Sequence, residues 1–226
     1  KKSFVLNGSE SDLIIVPART SGSQTDLKGI TLFAVKKDSA GIEMNSYKSV
    51  DGRSAAEIKL NNVSVSSDSI IGEIDNGYDA LEATVDEATL AICAEATGIM
   101  KSLHDKTVEY SKNRVQFGIP IGGFQALQHR MVDTLMACEE TESILLWAIT
   151  TKQDDKSALK KAISGLKYQI GTAGKHVGQE AVQLHGGMGI SWELDIAHLF
   201  KRLSAIEILF GNADFHMKRF IELSNV

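Results

Sequence analysis

The sequence predicts an α+β protein, in which a partial antiparallel β-domain over residues 1–76 is followed by an antiparallel four-helix bundle over residues 77–226. Two observations support this prediction. Short β-branched runs separated by Gly, Asn, Asp and Ser fill the first part, as in antiparallel sheets. Four long stripes of apolar residues, spaced by three and four, fill the second part and are typical of helices packed in a bundle.

The strand-like runs are short and are bounded by turn residues. Residues 4–6 form the first run, and residues 13–16 form a second that we expect Pro17 to end, because proline cannot donate a hydrogen bond within a sheet. Residues 29–35 form a third run, and residues 55–65 alternate loosely between apolar and polar. The chain opens inside a strand-like segment, so we expect it to be a fragment of a longer protein.

Each helical stripe marks one face of a predicted helix. Pro120 lies in the glycine-rich loop 118–123, between the first two stripes. Glu142 is the one charged residue in a stripe. In chain order the stripes are Leu81, Val85, Ala88, Ile92, Ala96, Ile99 and Leu103; Leu127, Met131, Leu135, Cys138, Glu142 and Leu145; Leu159, Ile163, Leu166, Ile170, Ala173, Val177, Ala181 and Leu184; and Ile196, Leu199, Leu203, Ile206, Phe210, Ala213, Met217 and Phe220.

Composition excludes several classes of function. With 24 Lys and Arg against 29 Asp and Glu, the chain is slightly acidic, which argues against a nucleic-acid partner. The longest apolar run, residues 144–149, is too short for a transmembrane segment. The two cysteines, Cys93 and Cys138, occupy apolar positions, so we expect reduced core thiols and no metal. No Cys-x-x-Cys, His-Glu-x-x-His or Glu-x-x-His motif occurs, which argues against zinc and di-iron sites.

The loop between the first two helices carries polar groups suited to an anion. Arg114 and Gln116 precede Pro120, and residues 124–129 supply further amides at the start of a helix. A guanidinium binds phosphate oxygens in pairs, and a helix N-terminus offers free N–H groups, so this loop suits a pyrophosphate. The alternative is a capped surface turn with a solvated arginine.

A second loop, residues 183–190, contains Gly186, Gly187 and Gly189. Glycine lets backbone N–H groups approach a ligand closely, but a helix C-cap followed by a tight turn also favours glycine. Both interpretations stay open from the residues alone. His185 precedes the glycines, so we expect it at an exposed loop edge, where it orders the loop through a hydrogen bond.

Three motifs resemble the acyl-CoA dehydrogenase family in order and spacing, and the resemblance covers essentially the whole chain. Residues 29–33 and 38–42 also look like the end of that family's middle β-domain. The family's chain is longer, which agrees with a fragment. The motifs are Arg114-x-Gln116-Phe117-Gly118-x-Pro120-Ile121, Phe124-Gln125-x-x-Gln128-His129 and Gln183-x-His185-Gly186-Gly187-x-Gly189.

The resemblance implies a flavoprotein oxidoreductase of fatty acid metabolism. Such an enzyme binds FAD across a subunit interface and oxidises an acyl-CoA thioester to the trans-2-enoyl-CoA. Electrons then pass to an electron-transfer flavoprotein or a similar acceptor. The resemblance further implies a dimer or tetramer, as a homo- or hetero-oligomer, in the bacterial cytoplasm or the mitochondrial matrix.

The same resemblance implies roles for residues in both loops. Arg114, Gln116 and Phe117 would contact the pyrophosphate and adenosine side of an FAD. Gln183, Gly186 and Gly187 would bind the diphosphate of an FAD held mainly by the neighbouring subunit. Gln128 and His129 would support the site. Val85 and Asp86 match the family's substrate-facing positions.

The catalytic base departs from the family pattern. The two positions where members carry a glutamate hold Phe210 and Ala88, and neither side chain accepts a proton. The carboxylates nearby are Glu87, Glu207 and Asp214. One interpretation is an acyl-CoA dehydrogenase of which this fragment alone is inactive. The alternative is a family-like subunit that lacks its own base and serves as a flavin-binding or structural partner in a heteromer.

Overall fold

A computed structural model describes residues 1–151 and 155–225. Its backbone contacts divide the chain into two compact units, one of residues Lys1–Thr84 and a second that begins at Val85. Strands fill the first unit and long helices fill the second, which confirms the α+β class. The predicted domain boundary at residues 76 and 77 falls directly before the first long helix.

The first unit contains two three-stranded antiparallel sheets. One sheet has the order β1-β5-β4 and the other has the order β2-β3-β6. The strands are β1 Lys2–Leu6, β2 Leu13–Arg19, β3 Ile30–Lys36, β4 Ile42–Lys48, β5 Ser54–Leu60 and β6 Ile70–Ile71.

Both sheets contribute to one apolar core. Ile14 and Val16 of β2 are buried, as are Val35 of β3 and Ala56 and Ile58 of β5. On β2, Leu13 and Ile15 are exposed and alternate with the buried Ile14 and Val16, so this part of the strand follows the period-two alternation of a sheet with one buried face.

Two details of the sheets differ from the sequence prediction. Pro17 does not end its strand but lies inside β2, opposite Leu32 of β3. Because β2 is an edge strand, its proline needs no partner on the open side. Strand β4 was not predicted, since its sequence is largely polar and most of its side chains are exposed.

The described part of the chain contains five α-helices. A short hairpin joins the first two, and a 3₁₀ turn over Gly186–Ile190 follows the third. The elements are α1 Tyr78–Asn113, β7 Val115–Gln116, β8 Ile119–Pro120, α2 Gln125–Thr150, α3 Lys156–His185, α4 Ile196–Ile208 and α5 Ala213–Ser224.

Ion pairs between helices show that neighbours run antiparallel, as predicted for the bundle. From Lys101 to His104 of α1, the partners on α2 run backward from Glu142 to Thr134. From Asp86 to Glu95 of α1, the partners likewise run backward from Arg219 to Arg202. The pairs are Lys101–Glu142 between α1 and α2, Arg130–Glu180 between α2 and α3, Arg202–Glu95 between α4 and α1, and Arg219–Asp86 between α5 and α1.

The buried face of α1 includes Ala96 and Leu103 of the predicted stripe but is otherwise offset from it by one residue. Thr89, Cys93 and Met100 are fully buried, whereas the predicted Ala88 and Ile92 are half-buried. The hydroxyl of Thr89 donates to the carbonyl of Val85 at 2.7 Å, one turn earlier. Such a local bond satisfies a buried hydroxyl, so threonine can face the core. A stripe defined by aliphatic residues alone misses these positions.

The fourth predicted helix is two helices, α4 and α5, separated by a sharp turn. Phe210 and Gly211 have φ values of 57° and 103°, outside the helical range. Asn212 then caps α5, because its side-chain oxygen accepts a hydrogen bond from the Phe215 N–H at 3.0 Å. The apolar stripe continues through the turn, so its periodicity does not reveal the break.

Within the described residues, no helix is both long and apolar enough to cross a membrane.

Candidate functional site

The loop between α1 and α2 is a hairpin that begins at Arg114. The carbonyl of Arg114 accepts a hydrogen bond from the Ile121 N–H at 2.8 Å, which closes the loop. At the tip, Phe117 and Gly118 have φ values of 55° and 85°. Two successive positive φ values form a tight two-residue turn that favours glycine and strains a residue such as Phe117. The hairpin therefore holds the segment around Arg114 and Gln116 in one conformation.

The polar side chains of this loop differ in their availability. Arg114 is exposed, and no other part of the described chain provides a partner for its guanidinium. Gln116 donates to the carbonyl of Val115 at 2.8 Å. Gln128 donates to the carbonyl of Gly122, also at 2.8 Å, so its side chain braces the loop that precedes α2. Arg114 is thus the group most available to an anion.

The second loop follows the C-terminus of α3. Gly186 has a φ of 60° with a ψ of −140°, a conformation that residues with a side chain rarely adopt. At Gly187, a Cβ atom would meet nothing within 4 Å, so its backbone borders open space. This loop therefore presents backbone without side chains to its surroundings.

The two loops line one cavity of about 400 Å³ in the second unit. Five of the residues predicted to bind a cofactor are among its lining residues: Arg114, Gln116, Gln183, Gly186 and Gly187. Phe117 and Gln128 are not among them. Phe117 lies at the hairpin tip with 93% of its surface exposed, and its ring meets that of Phe124 edge-on at 6.1 Å.

His185 also lines this cavity, and it is not at an exposed loop edge as the sequence predicts. The residue is 5% exposed, and its ring stacks on Tyr110 with the centroids 4.3 Å apart. Its Nδ1 lies 2.8 Å from the carbonyl oxygen of Ala181, a hydrogen bond that anchors the last turn of α3. Burial lowers the pKa of His185 below its usual value.

Phe210 lies in the turn between α4 and α5, and two buried side chains hold this turn in place. Lys167 of α3 donates to the carbonyls of Glu207 at 2.8 Å and Gly211 at 2.6 Å. Nε2 of His216 lies 3.0 Å from the carbonyl oxygen of Phe210. Sequence reasoning missed both residues. Their only sequence signal is their place on the buried faces of two amphipathic helices.

On α1, the residues predicted to face substrate have different surroundings. Asp86 is buried and forms a two-pronged ion pair with Arg219 of α5, with oxygen–nitrogen distances of 2.5 and 2.8 Å. Val85 and Ala88 are half-buried, and Glu87 is exposed. The carboxylate of Asp86 therefore serves to join α1 to α5.

A second cavity, of about 440 Å³, lies between α3, α4 and α5. Two of the three carboxylates considered as bases, Glu207 and Asp214, line it together with Lys175. Gly171 and Gly174 of α3 also line it. Across the residues that the structure describes, no group of three or more His, Cys, Asp or Glu side chains is arranged to hold a metal ion.

These features define a class of protein: a β-unit followed by an antiparallel helical bundle, with an arginine-bearing hairpin and a glycine loop lining one cavity. A family model described as "Acyl-CoA dehydrogenase, C-terminal domain" matches residues 75–222. The chain belongs to the acyl-CoA dehydrogenase family, as its three motifs predict.

The relatives support this membership over nearly the whole chain. A protein of Clostridium sporogenes named 3-(aryl)acrylate reductase is 29% identical over 217 residues, which are 95% of this chain and 57% of the relative. The human mitochondrial short-chain specific acyl-CoA dehydrogenase is 26% identical over 216 residues, which are 94% of this chain and 52% of the relative. The chain therefore spans little more than half the length of these relatives.

Solved structures show the same fold. Butyryl-CoA dehydrogenase of Megasphaera elsdenii superimposes with a TM-score of 0.84 at 26% identity, over 100% of this chain and 59% of that one. An acyl-CoA dehydrogenase of Geobacillus kaustophilus superimposes with a TM-score of 0.91 at 24% identity, over 100% of this chain and 60% of that one.

Proposed function

We propose that this chain is the C-terminal part of an FAD-dependent acyl-CoA dehydrogenase, which oxidises an acyl-CoA thioester to the trans-2-enoyl-CoA. The observation that carries the proposal is the common cavity of the two motif loops, because Arg114 and the Gly186–Gly187 backbone line the same space. Family membership supports the reaction class.

The residues at this cavity fit the diphosphate end of a flavin dinucleotide. The guanidinium of Arg114 has no partner in the described part of the chain, so it is available for two charge-assisted hydrogen bonds to phosphate oxygens. The open space beside Gly187 lets a bulky anion approach the backbone. Gln116 and Gln183 add amide groups at the same cavity. We propose that Phe117, at the exposed hairpin tip, contacts the adenosine side of the cofactor and that Gln128 supports the site.

FAD bound in such an enzyme would accept the hydride that leaves the β-carbon of the thioester. This chain's contribution is to bind and orient the dinucleotide. Removal of the α-proton needs a nearby base, which neither Phe210 nor Ala88 supplies. Glu207 and Asp214 line the second cavity and Glu87 is exposed, so none of the three lines the cavity of the two motif loops. We propose a substrate-facing role for Val85, and for Asp86 a place on the same face of α1, where its carboxylate holds Arg219.

Replacing Arg114 with alanine in the full-length protein tests cofactor binding. We expect the dissociation constant of FAD to rise at least about tenfold, because hydrogen bonds to a charged group are lost. Titration followed by flavin fluorescence measures the change. Lys112→Ala is the matched control, since Lys112 is an exposed cation two residues earlier that pairs with Glu109 at 3.8 Å. Equal affinity in both variants would remove Arg114 from the site.

Turnover of a panel of acyl-CoA thioesters with a dye acceptor tests the activity of the full-length protein. Flavin-dependent turnover by the protein alone supports the proposal. Bound FAD without turnover, followed by turnover once a homologue is co-expressed, would instead identify a subunit that depends on a partner for its base. Absence of flavin from the full-length protein would contradict the proposal as a whole.

We also propose the oligomeric state, the electron acceptor and the cellular compartment of the full-length protein. A cofactor shared between subunits requires a dimer or tetramer, formed with itself or with a homologue, and electrons pass to an electron-transfer flavoprotein or a similar acceptor. The compartment is the bacterial cytoplasm or the mitochondrial matrix, as relatives come from bacteria and from human mitochondria. We further propose that a β-domain ends at residue 76 and that the bundle domain begins at residue 77.

A further inference from the structure

The hydrogen bonding of His185 fixes which of its ring nitrogens carries the proton. Nδ1 lies 2.8 Å from the carbonyl oxygen of Ala181, and a carbonyl oxygen only accepts, so Nδ1 carries the hydrogen. Burial lowers the pKa of the ring, which keeps the imidazole neutral near pH 7. In a neutral imidazole with its hydrogen on Nδ1, Nε2 has a free lone pair and acts only as an acceptor.

Nε2 of His185 has no hydrogen-bond partner within residues 1–151 and 155–225. The enclosed polar side-chain atoms that lack a partner in this part of the protein are Ser164 Oγ and His216 Nδ1, so Nε2 of His185 is not enclosed. His185 lines the cavity shared with Arg114. The stacked ring of Tyr110, 28° from parallel, holds the imidazole plane. His185 is thus a largely buried residue that lines the cavity and has one unpaired acceptor, Nε2, outside the enclosed interior.

This acceptor restricts the ligand that the cavity suits. Arg114 favours an anion such as a diphosphate, whose oxygens are acceptors at neutral pH. Two acceptors cannot form a hydrogen bond with each other, so Nε2 of His185 cannot bind the phosphate oxygens. It needs a hydrogen-bond donor elsewhere on the ligand. A nucleoside diphosphate combines an anionic diphosphate with hydrogen-bond donors. The donors are the ribose hydroxyls and, when the base is adenine, its amino group.

We propose that Nε2 of His185 accepts a hydrogen bond from the nucleoside portion of the bound dinucleotide, through a ribose hydroxyl or the adenine amino group. The inference rests on the proposed function and deepens it, because it adds to that site a histidine contact that recognises the nucleoside and not the diphosphate. His185 is then a binding residue as well as the anchor of the α3 terminus.

Binding of ADP analogues to the full-length protein, after its flavin is removed, identifies the nucleoside group that His185 contacts. The probes are ADP, 2′-deoxy-ADP, 3′-deoxy-ADP and the diphosphate of purine riboside, which lacks the amino group. We expect one analogue to bind about three- to tenfold more weakly than ADP, as one hydrogen bond is lost. In His185→Phe, which keeps an aromatic ring against Tyr110, that same analogue and ADP bind equally. His176→Phe, an exposed histidine of the same helix, retains the difference.

A second measurement uses the wild-type protein, so it does not require that a His185 variant folds. With histidine labelled by nitrogen-15, the Nε2 resonance of His185 shifts when ADP is added and does not shift with inorganic pyrophosphate. Equal shifts with both probes would overturn the inference, because the contact would then be to phosphate.

The remaining outcomes separate this inference from the proposed function. If ADP binds but every analogue binds as tightly as ADP, or if the weak analogue is equally weak in His185→Phe, the His185 contact is refuted and the flavin site stands. If neither ADP nor FAD binds to the full-length protein, both the inference and the proposed function are refuted.

Discussion

Lys167 is a charged residue inside the helical bundle, with no exposed surface. Its ammonium group donates to the carbonyl of Glu207 in the last turn of α4, where the helix dipole places partial negative charge, and to the carbonyl of Gly211 in the turn that follows. Burial still lowers the pKa of Lys167, because desolvation disfavours the charged form. The lysine thereby ties α3 to the turn that carries Phe210.

His216 makes the stability of the protein depend on pH. Burial is the largest cause that lowers its pKa from 6.5 to about 4, and the charges of Lys167 and Arg219 add to it. Between those two pH values the unfolded imidazole binds a proton and the folded one does not. The free energy of unfolding therefore falls as the pH drops from 6.5 towards 4, by about 1–2 kcal/mol after allowance for solvent screening.

Urea unfolding at pH 7 and pH 4.5 measures this effect in the wild type and in His216→Gln. Glutamine can still donate to the Phe210 carbonyl but does not titrate, so we expect the variant to lose less stability between the two pH values. His176→Gln, at an exposed position, serves as the control and should behave as the wild type. An unchanged pH dependence in His216→Gln would show that other groups cause it.

Individual residues differ in how well the sequence predicts them. Arg114 and Gly186 were identified because their motifs are local and their chemistry is visible in the residue type. Asp86 was predicted to face substrate, and the structure shows its carboxylate paired with Arg219, 133 positions further along the chain. Lys167 bonds carbonyls 40 and 44 positions further along the chain, and His216 bonds the carbonyl of Phe210 across the break between α4 and α5. A linear pattern contains no information about such pairings.

At the scale of elements, the break between α4 and α5 determines how the end of the bundle is built. The turn has two successive residues with positive φ, and only Gly211 adopts such a value without strain. A Cβ atom added at Gly211 would lie 2.4 Å from the ring of Phe215. Both conformation and space therefore require glycine at this position.

Gly211→Ala should lower the free energy of unfolding by about 1–3 kcal/mol, through backbone strain and the clash with Phe215. Gly98→Ala is the matched control, because Gly98 lies inside α1 with nothing within 4 Å of an added Cβ. That control should raise stability by about 0.5–1 kcal/mol, since alanine favours helix more than glycine does. Urea unfolding measures both. Equal stability of Gly211→Ala and the wild type would contradict the strained turn.

At the scale of the whole molecule, the chain spans little more than half of its relatives, and this has a functional consequence. The 226-residue chain produced by itself should retain little or no FAD and should oxidise no acyl-CoA, because the family resemblance places the rest of the flavin site outside it. Flavin absorbance after purification and dye-coupled turnover measure the two properties. Full flavin occupancy in this chain would overturn the expectation.

Much of the fold follows from local patterns. Alternation with a period of two and stripes with a period of 3.6 predict the sheets and the bundle, because each pattern reflects one buried face of one element. The same principle explains the errors. Polar β4 has little buried face to detect, and the stripe of the fourth predicted helix continues across Phe210, so neither the strand nor the break leaves a periodic signal.

The amino-acid order was sufficient for the α+β class, the family and the two loops that carry the candidate site, since these depend on neighbours in the chain. Folding decided that Arg114 and Gly187 line one cavity, that His185 is buried there with a free acceptor, and that Lys167 supports the turn at Phe210. Each of these arrangements joins residues far apart in the chain, and only packing of the helices brings such residues into contact.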